Sequence, residues 1–397
     1  MKKNKTVIIC VNGGIAVYKA LDIVSILKKH DIDIYVIMSK AATEFVNPLS
    51  FQALSQNAVI TNMFEESKVW EIQHISLAKK ADLIIVVPAT ANILGKVANG
   101  ISDDMISTTI MATKAPVVFA PAMNTNMYKN PIVQNNICKL EEYGYKFVLP
   151  IEGRLACGDT GEGKLADSKF ISNYIISMLY DKKDLIGKKI LVTAGPTISP
   201  IDPVRYITNK STGKMGYAIA EECRDRGAKV ILISGPTNIE PPFGIKTYNV
   251  QTNDEMLNEV LNHFQQMDIV IKAAAVADYK VSKYSHDKIK KSEDELQLKF
   301  VKDNDILKRL GIIKKSQILV GFAAESNDLL KNAELKLKSK NLDYIVANDI
   351  MATNTGFASD DNKVTIVCKD GQIIPLEKMS KRNVARHLMN LITVDYK

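Results

Sequence analysis

No apolar run in this 397-residue sequence approaches the roughly 18 to 20 residues needed to cross a bilayer. A membrane protein is therefore not expected. The beginning, Met1-Lys-Lys-Asn-Lys-Thr6, leads straight into a short strand pattern and lacks the layout of a secretory signal. Cysteine is sparse: Cys10, Cys138, Cys157, Cys223 and Cys368 are odd in number, widely scattered, and show neither CxxC spacing nor a histidine nearby. That excludes a disulfide framework and favours a reducing cytoplasm. Neither half contains G-x-G-x-x-G, which weakens a dinucleotide reading. Gly158-Asp-Thr-Gly-Glu-Gly-Lys164 has P-loop spacing but is followed by Leu165, so the magnesium-ligating hydroxyl is missing, and Gly213-Lys214 lacks the upstream glycine. Basic residues are not interleaved with aromatics and no nucleic-acid reading motif occurs, so a nucleic-acid partner is not expected.

What is present is a double helping of α/β pattern. The length is about twice that of a typical domain, and 46% hydrophobic with 24% charged residues suits a soluble chain with a sizeable core. Two strand-turn-helix starts occur, Val7–Tyr18 and Ile190–Pro196, the second running on to Lys210-Ser-Thr-Gly-Lys-Met-Gly216. In each, a β-rich run breaks at glycine and a helical pattern follows, which puts backbone N–H groups and a helix N-terminus where an anion docks. Strands at Val7–Val11, Asp33–Met38, Asp82–Val87, Val117–Ala120 and Phe147–Leu149 alternate with helices, including Pro48–Ser55. A second series begins at Lys189–Val192 and ends in a hairpin turning on Asp370-Gly371. The pattern predicts two Rossmann-like domains with mainly parallel sheets covered on both faces and ligands at the strands' carboxyl ends. The polar stretch Tyr180–Gly187 divides them into residues 1–187 and 188–397. Residues 1–180 carry 18 basic and 16 acidic side chains (+2), leaving 34 and 28 (+6) for the remainder. A polyanionic small molecule in the second half accounts for that asymmetry, although segments such as Lys331–Lys340 also read as solvated helix faces.

Three residues of the first half carry chemistry. Asn124, in Pro121-Ala-Met-Asn-Thr-Asn-Met127, follows a strand end and either meets a ligand or caps the next helix. Cys157 lies in a glycine-rich, polar loop, Ala156–Lys164, read as a lid bearing a reactive thiol. His74 opens a helical pattern and by itself reads more often as a structural histidine.

Gly13-Gly-Ile-Ala16, His74, Pro88-Ala-Thr-Ala-Asn92, Pro121–Met127 and the Cys157 loop, in this order and spacing, resemble the flavin-dependent cysteine decarboxylases. The second half adds Asp202–Gly216, Ala273–Tyr279, Lys288-Ile-Lys-Lys291, Gly321–Glu325 and Ala347-Asn-Asp349. With these the whole chain resembles the bifunctional phosphopantothenoylcysteine decarboxylase and phosphopantothenate-cysteine ligase family of coenzyme A biosynthesis. The resemblance implies a flavodoxin-like first domain that binds FMN through Gly13, Gly14, Ile15, Ala16 and Ser39, with Pro88, Ala89, Thr90 and Asn92 near the ring. It implies His74 as an acid-base group in decarboxylation, Asn124 on the substrate's carboxylate or amide, and Cys157 as the proton donor of the last step.

For the second domain the resemblance implies activation of phosphopantothenate by CTP to an acyl-CMP, then attack by the cysteine amine. Arg205, Asn209 and Lys288 are implied at the reacting centre, where positive charge must follow the developing anion. Ala273, Ala274, Asp278, Asp303, Asn304, Asp305, Ile306, Phe322, Lys336 and Lys340 match nucleotide-contact positions, and Mg²⁺ is expected between the phosphates with Asp278 as its protein ligand. The residues alone do not distinguish CTP from ATP. The family usually reads Lys-Asn-Pro-Asp-Ile where this chain has Lys302-Asp-Asn-Asp-Ile306, a turn without its proline. A homo-oligomer is implied, trimer-based for the flavin sites with dimers of the ligase. A flavodoxin-like electron carrier would need neither Asn124 with Cys157 nor the second half, and a non-catalytic regulatory relative would not need His74, Asn124 and Cys157 intact.

Overall fold

The computed structural model describes residues 5–64, 72–156, 158–290, 296–325, 328–349 and 359–394. The chain divides into two compact units, Met1–Leu179 and Tyr180–Lys397.

In the first unit five parallel strands form one sheet: β1 (Thr6–Val11), β2 (Asp33–Met38), β3 (Leu83–Ala89), β4 (Val117–Pro121) and β5 (Lys146–Phe147), in the order β2-β1-β3-β4-β5. Successive side chains of a strand point to opposite faces, and here both faces are buried. Val7, Ile9 and Val11 join a core with Ile23, Leu27, Phe51 and Ile171 from the helices on one side. Ile8 and Cys10 join another with Leu94, Ile106 and Ile137 on the other. Continuous apolar runs rather than alternating ones are what a two-sided parallel sheet requires. Fully burying each Ile, Val or Leu contributes about 1.5–3 kcal/mol, so a charge at Ile9 would break the unit. The strand order reverses between β1 and β3, and a crevice opens at their carboxyl ends.

Beyond this sheet, β6 (Ile151–Arg154) and β7 (Thr160–Lys164) pair as an antiparallel hairpin. The sequence reading had a flexible glycine-rich loop here; the glycines instead permit close docking. Gly163 has φ +129, and a Cβ there would lie 2.2 Å from the Met123 carbonyl oxygen. Met123 N–H donates to the Gly163 carbonyl at 3.0 Å, fixing the hairpin to the end of β4.

The second unit holds an eight-stranded sheet. Its parallel part is β8 (Lys189–Ala194), β11 (Lys229–Ser234), β12 (Lys246–Asn249), β13 (Ile269–Lys272), β16 (Ile318–Glu325) and β17 (Tyr344–Asp349); β18 (Asp361–Cys368) and β19 (Ile373–Ser380) close it antiparallel. The order is β12-β11-β8-β13-β16-β17-β18-β19, with its reversal between β8 and β13. Short antiparallel pairs β9 (Ile198–Pro200) with β10 (Tyr206–Thr208), and β14 (Tyr279–Val281) with β15 (Phe300–Lys302), rise from the same end. Helices Lys214–Asp225 and Lys381–Val394 cover one face through Ile219, Cys223, Leu388 and Ile392. Helices Asn253–Phe264, Ile306–Ile313 and Leu329–Ser339 cover the other through Val260, Leu310 and Leu337. The hairpin expected at Asp370-Gly371 joins β18 to β19, with Gly371 at φ +91. No helix among the described residues is long and apolar enough to cross a membrane.

Candidate active sites

At the β1/β3 reversal the chain leaves β1 through Asn12, buried with its Nδ2 donor unpartnered. Gly13 follows because nothing larger fits: a Cβ there would lie 2.5 Å from the Ala41 Cβ. Ser39 caps the helix Lys40–Thr43 by accepting from the Ala42 N–H at 3.2 Å, and its own N–H donates to the Val11 carbonyl. Across the crevice, Pro88 and Ala89 end β3, and Thr90 caps the helix Ala91–Ala98, its oxygen accepting from Ile93 N–H. Asn92 is exposed in the first turn of that helix. A glycine loop follows β1 and capped helix N-termini follow β2 and β3, although Gly13, Ser39, Ala89, Thr90 and Asn92 are not on the wall of the crevice's cavity.

That cavity, of about 570 Å³, is within the size range of cofactor pockets. Gly14, Ile15, Ala16, Pro88 and Asn124 all line it, together with Lys164 of the hairpin. Asn124 caps a helix and also borders the cavity. Its Oδ1 accepts from Asn126 N–H at 2.9 Å at the start of the helix Thr125–Tyr128. His74 sits half-buried in the first turn of the helix Gln73–Lys80 and is not part of this chain's cavity wall. Cys157 lies outside the described residues, between the two strands of the docked hairpin. Lys19 and Arg154 also line the cavity, and the sequence reading had not singled them out.

The second crevice is built from backbone brought unusually close. Gly213 has φ +81 and starts the helix Lys214–Asp225; Gly216 is on its first turn, where a Cβ would meet the Ala194 Cβ at 2.5 Å. Asn209 Nδ2 donates to the Ala275 carbonyl at 2.9 Å, and Ala275 N–H donates to the Gly195 carbonyl at 2.9 Å. These bonds join the loop after β10 to the loops after β8 and β13.

The resulting cavity, about 330 Å³, is lined by Asn209, Ala273, Ala274, Asp278, Asn304, Asp305, Ile306, Phe322, Lys336 and Lys340. These ten are the candidates among its lining residues; others, such as Ser211, Thr212 and Asn348, share the wall. Asp303 is turned to Lys280, 3.1 Å away, and the exposed Lys288 and Arg205 are also outside the cavity lining. The turn at Asp303–Asp305 survives without proline. Asn304 Nδ2 donates to Asp254 Oδ1 at 2.6 Å, the Asn304 carbonyl accepts from Asn253 Nδ2 at 2.8 Å, and Asp305 caps the next helix by accepting from Lys308 N–H. Burial opposes ionisation of Asp305, but Lys340 at 2.8 Å and the Lys308 N–H outweigh it and leave its pKa below the ordinary carboxylate value.

The sequence reading missed Asp202. It is buried at 3% exposure and is the hub of the loop that carries Arg205. One carboxylate oxygen accepts from the N–H groups of Val204 and Arg205, the other from the Arg205 guanidinium and from Ile289 N–H at 3.2 Å. Arg205 also donates to the Ile289 carbonyl, so Asp202 and Arg205 together tie down the segment next to Lys288. The guanidinium, with these N–H groups, holds the Asp202 carboxyl well below the usual range. Also missed were Lys272, Lys214 and Lys381, all on the cavity wall. Burial, then repulsion from Lys214, pushes the Lys381 pKa down. Among the described residues no three His, Cys, Asp or Glu side chains group as a metal site.

Two family models match the chain. Residues 1–180 match the flavoprotein family model, and residues 185–395 match the model of the DNA/pantothenate metabolism flavoprotein C-terminal domain. Over 395 residues the chain is 48% identical to the coenzyme A biosynthesis bifunctional protein CoaBC of Bacillus subtilis (strain 168), covering 99% of this chain and 97% of the relative. The protein of the same name from Borreliella burgdorferi is 44% identical over 395 residues, covering 99% and 100%. A solved structure, the C-terminal domain of a coenzyme A biosynthesis bifunctional protein CoaBC, is 43% identical over 54% of this chain and 98% of that one, with a TM-score of 0.47.

Proposed function

Since the chain belongs to the family of bifunctional coenzyme A biosynthesis proteins, we propose that residues 1–187 form an FMN-dependent 4'-phosphopantothenoylcysteine decarboxylase and residues 188–397 a CTP-dependent phosphopantothenate-cysteine ligase. The observation that carries this reading is the pair of cavities at the carboxyl ends of two separate parallel sheets, the second crowded with lysines.

In the first unit the size of the cavity, the close approach at Gly13 and the orphaned Asn12 donor fit a bound flavin mononucleotide. Gly13 to Ala16 and Ser39 hold its phosphate and ribityl chain, with Pro88, Ala89, Thr90 and Asn92 flanking its ring. When bound, FMN supplies reversible oxidation at the substrate's thiol-bearing carbon, which gives the electrons of the departing carboxylate somewhere to go. Asn124 holds the substrate carboxylate by its amide, Cys157 delivers the final proton to carbon, and His74 serves acid-base chemistry at a site shared with another copy. The absence of His74 from this chain's own cavity lining and the exposure of Ile15 (63%) and Tyr18 (55%) on that lining support a homo-oligomer.

In the second unit the phosphopantothenate carboxylate attacks the α-phosphorus of CTP and the bond to pyrophosphate breaks. The cysteine amine then attacks the acyl carbon and CMP departs. Lys288 neutralises the phosphates during the first step, while Arg205 and Asn209 hold the mixed anhydride for the second. Asp278 would be the protein ligand of a Mg²⁺ ion, which would supply positive charge to the nucleotide's phosphates; a single carboxylate suits an ion held mainly by phosphate oxygens and water.

Product analysis tests the reading. The purified chain, given phosphopantothenate, cysteine and each nucleoside triphosphate in turn, should release pyrophosphate and CMP with CTP and go on to 4'-phosphopantetheine and CO₂. Amide formation with ATP but not CTP would overturn the nucleotide assignment; neither product would overturn the whole.

A further inference from the structure

Lys272 ends β13, one of the two strands that flank the sheet reversal. Ile269 and Ile271 pack into the core of one face and Val270 into the other, so alternation turns Lys272 to the Val270 face. Leu307 and Leu337 of the covering helices pack on that face. An ammonium at this place has left bulk water for a partly apolar wall, yet it has gained little in return. It is half-buried and donates one hydrogen bond, to the Ala274 carbonyl at 3.0 Å, out of the three it can make. No ion pair to it occurs among the described residues.

Among the described residues, the carboxylates that act on Lys272 are Asp278, on the loop after β13, and Asp305, which is already taken by Lys340 at 2.8 Å. Lys336, on the helix Leu329–Ser339, and Lys340, at its C-terminal cap, repel Lys272, and Lys214 and Lys381 line the rest of the same cavity. A buried cation left without a carboxylate costs free energy unless an anion arrives. Lys272 thus lies beside Lys336 and Lys340 on one side of a ligand-sized cavity, with no ion pair of its own among the described residues.

We propose that Lys272 is a polyphosphate-binding residue of the ligase site, contacting the nucleoside triphosphate together with Lys336 and Lys340. This assignment rests on the ligase reading above. Burial first, then repulsion from Lys340 and Lys336, pushes the Lys272 pKa down to about 8 in the free protein. A phosphate beside it favours the charged form. Nucleotide binding therefore takes up a proton as pH rises above about 8 toward the ordinary lysine value of 10.5. Affinity is full below that window and falls through it, because the free ammonium deprotonates while the bound one does not.

The experiment is calorimetric titration of the full chain with Mg²⁺ and CTP, without phosphopantothenate, at pH 7 and at pH 9. Lys272→Met should weaken binding about tenfold or more at pH 7, the scale of a lost hydrogen bond to a charged group, without lowering the melting temperature of the free protein. Lys272→Arg, which stays charged, should restore most of the affinity and flatten the loss between pH 7 and 9. Wild-type affinity in Lys272→Met, or an unchanged pH dependence in Lys272→Arg, would overturn the role of Lys272 while leaving the ligase reading intact. A wild-type chain that binds no nucleoside triphosphate would overturn both.

Discussion

The two crevices solve opposite problems with one architecture. Both lie where a parallel sheet reverses its strand order, and both use glycines to bring backbone within van der Waals reach. The first is wide, about 570 Å³, and apart from Lys19, Arg154 and Lys164 its wall is largely backbone and apolar side chains such as Ile15, Pro88 and Met123. The second, about 330 Å³, gathers Lys214, Lys272, Lys336, Lys340 and Lys381 with Asp278 and Asp305. A cofactor that brings its own reactivity asks the protein for shape and orientation. Reaction at a phosphate asks for cations already in place, since little covalent help is available. The +6 charge of the residues after 180, against +2 before, follows that division of labour.

The comparison breaks most visibly at Gly163. A methyl group there would collide with the Met123 carbonyl and would need a backbone conformation unfavourable to alanine. Gly163→Ala should undock the hairpin from the residue before Asn124 and abolish CO₂ release, while pyrophosphate release by the ligase continues at the wild-type rate. If both activities fell together, the crevices would not be the separate working parts described here. Lys288→Gln makes the complementary cut. It should slow acyl-CMP formation by about 10²-fold or more, the usual cost of removing one transition-state charge partner, with decarboxylation of added phosphopantothenoylcysteine unaffected. Acyl-CMP measured by mass spectrometry in the absence of cysteine decides it, and normal formation would remove Lys288 from the first step.

How much of this could be read from the sequence differed in the same way between backbone and charge. Strand Asp33–Met38 and helix Pro48–Ser55 stand where pattern put them, because continuous apolar runs and a proline in a helix's first turn are local signals. The hairpin of residues 151–164 was not legible. Its glycines look like slack until Met123 and Thr125 are seen against them. No local signal shows what replaces the proline at Asn304, and only the distant Asp254 and Asn253 reveal that side-chain bonds keep the turn. Lys272 reads as a strand-end surface charge; its burial comes from helices 30 to 70 residues later in the chain, which no local window contains. Nine nucleotide-contact candidates and Asn209 do line one cavity, whereas Arg205 and Lys288 stand apart from it, joined instead through a residue the motif had not marked for chemistry.

That residue, Asp202, gives the smallest and most discriminating effect. Its carboxylate accepts from Arg205 and from three backbone N–H groups, so Asp202→Asn keeps the shape but gives up the charge that fixes the guanidinium. Without it Arg205 samples more orientations, and transfer from acyl-CMP to cysteine should slow by about tenfold, the scale of a charge-assisted hydrogen bond. Activation by CTP, which depends on the lysines, should change less. The pH behaviour separates this from simple damage to the loop. Because Arg205 and the N–H groups depress the folded pKa of Asp202, its contribution to stability is complete above the ordinary carboxylate value near 3.9. It is lost only as pH falls from there toward the lower folded value. Between pH 5 and 8 the wild-type and Asp202→Asn chains should therefore differ by a constant offset in melting temperature, and the gap should close on acidification below about pH 4. Circular dichroism melts across that range measure it. A gap that widened in acid would mean that Asp202 is protonated in the folded chain, and Arg205 would then need another anchor.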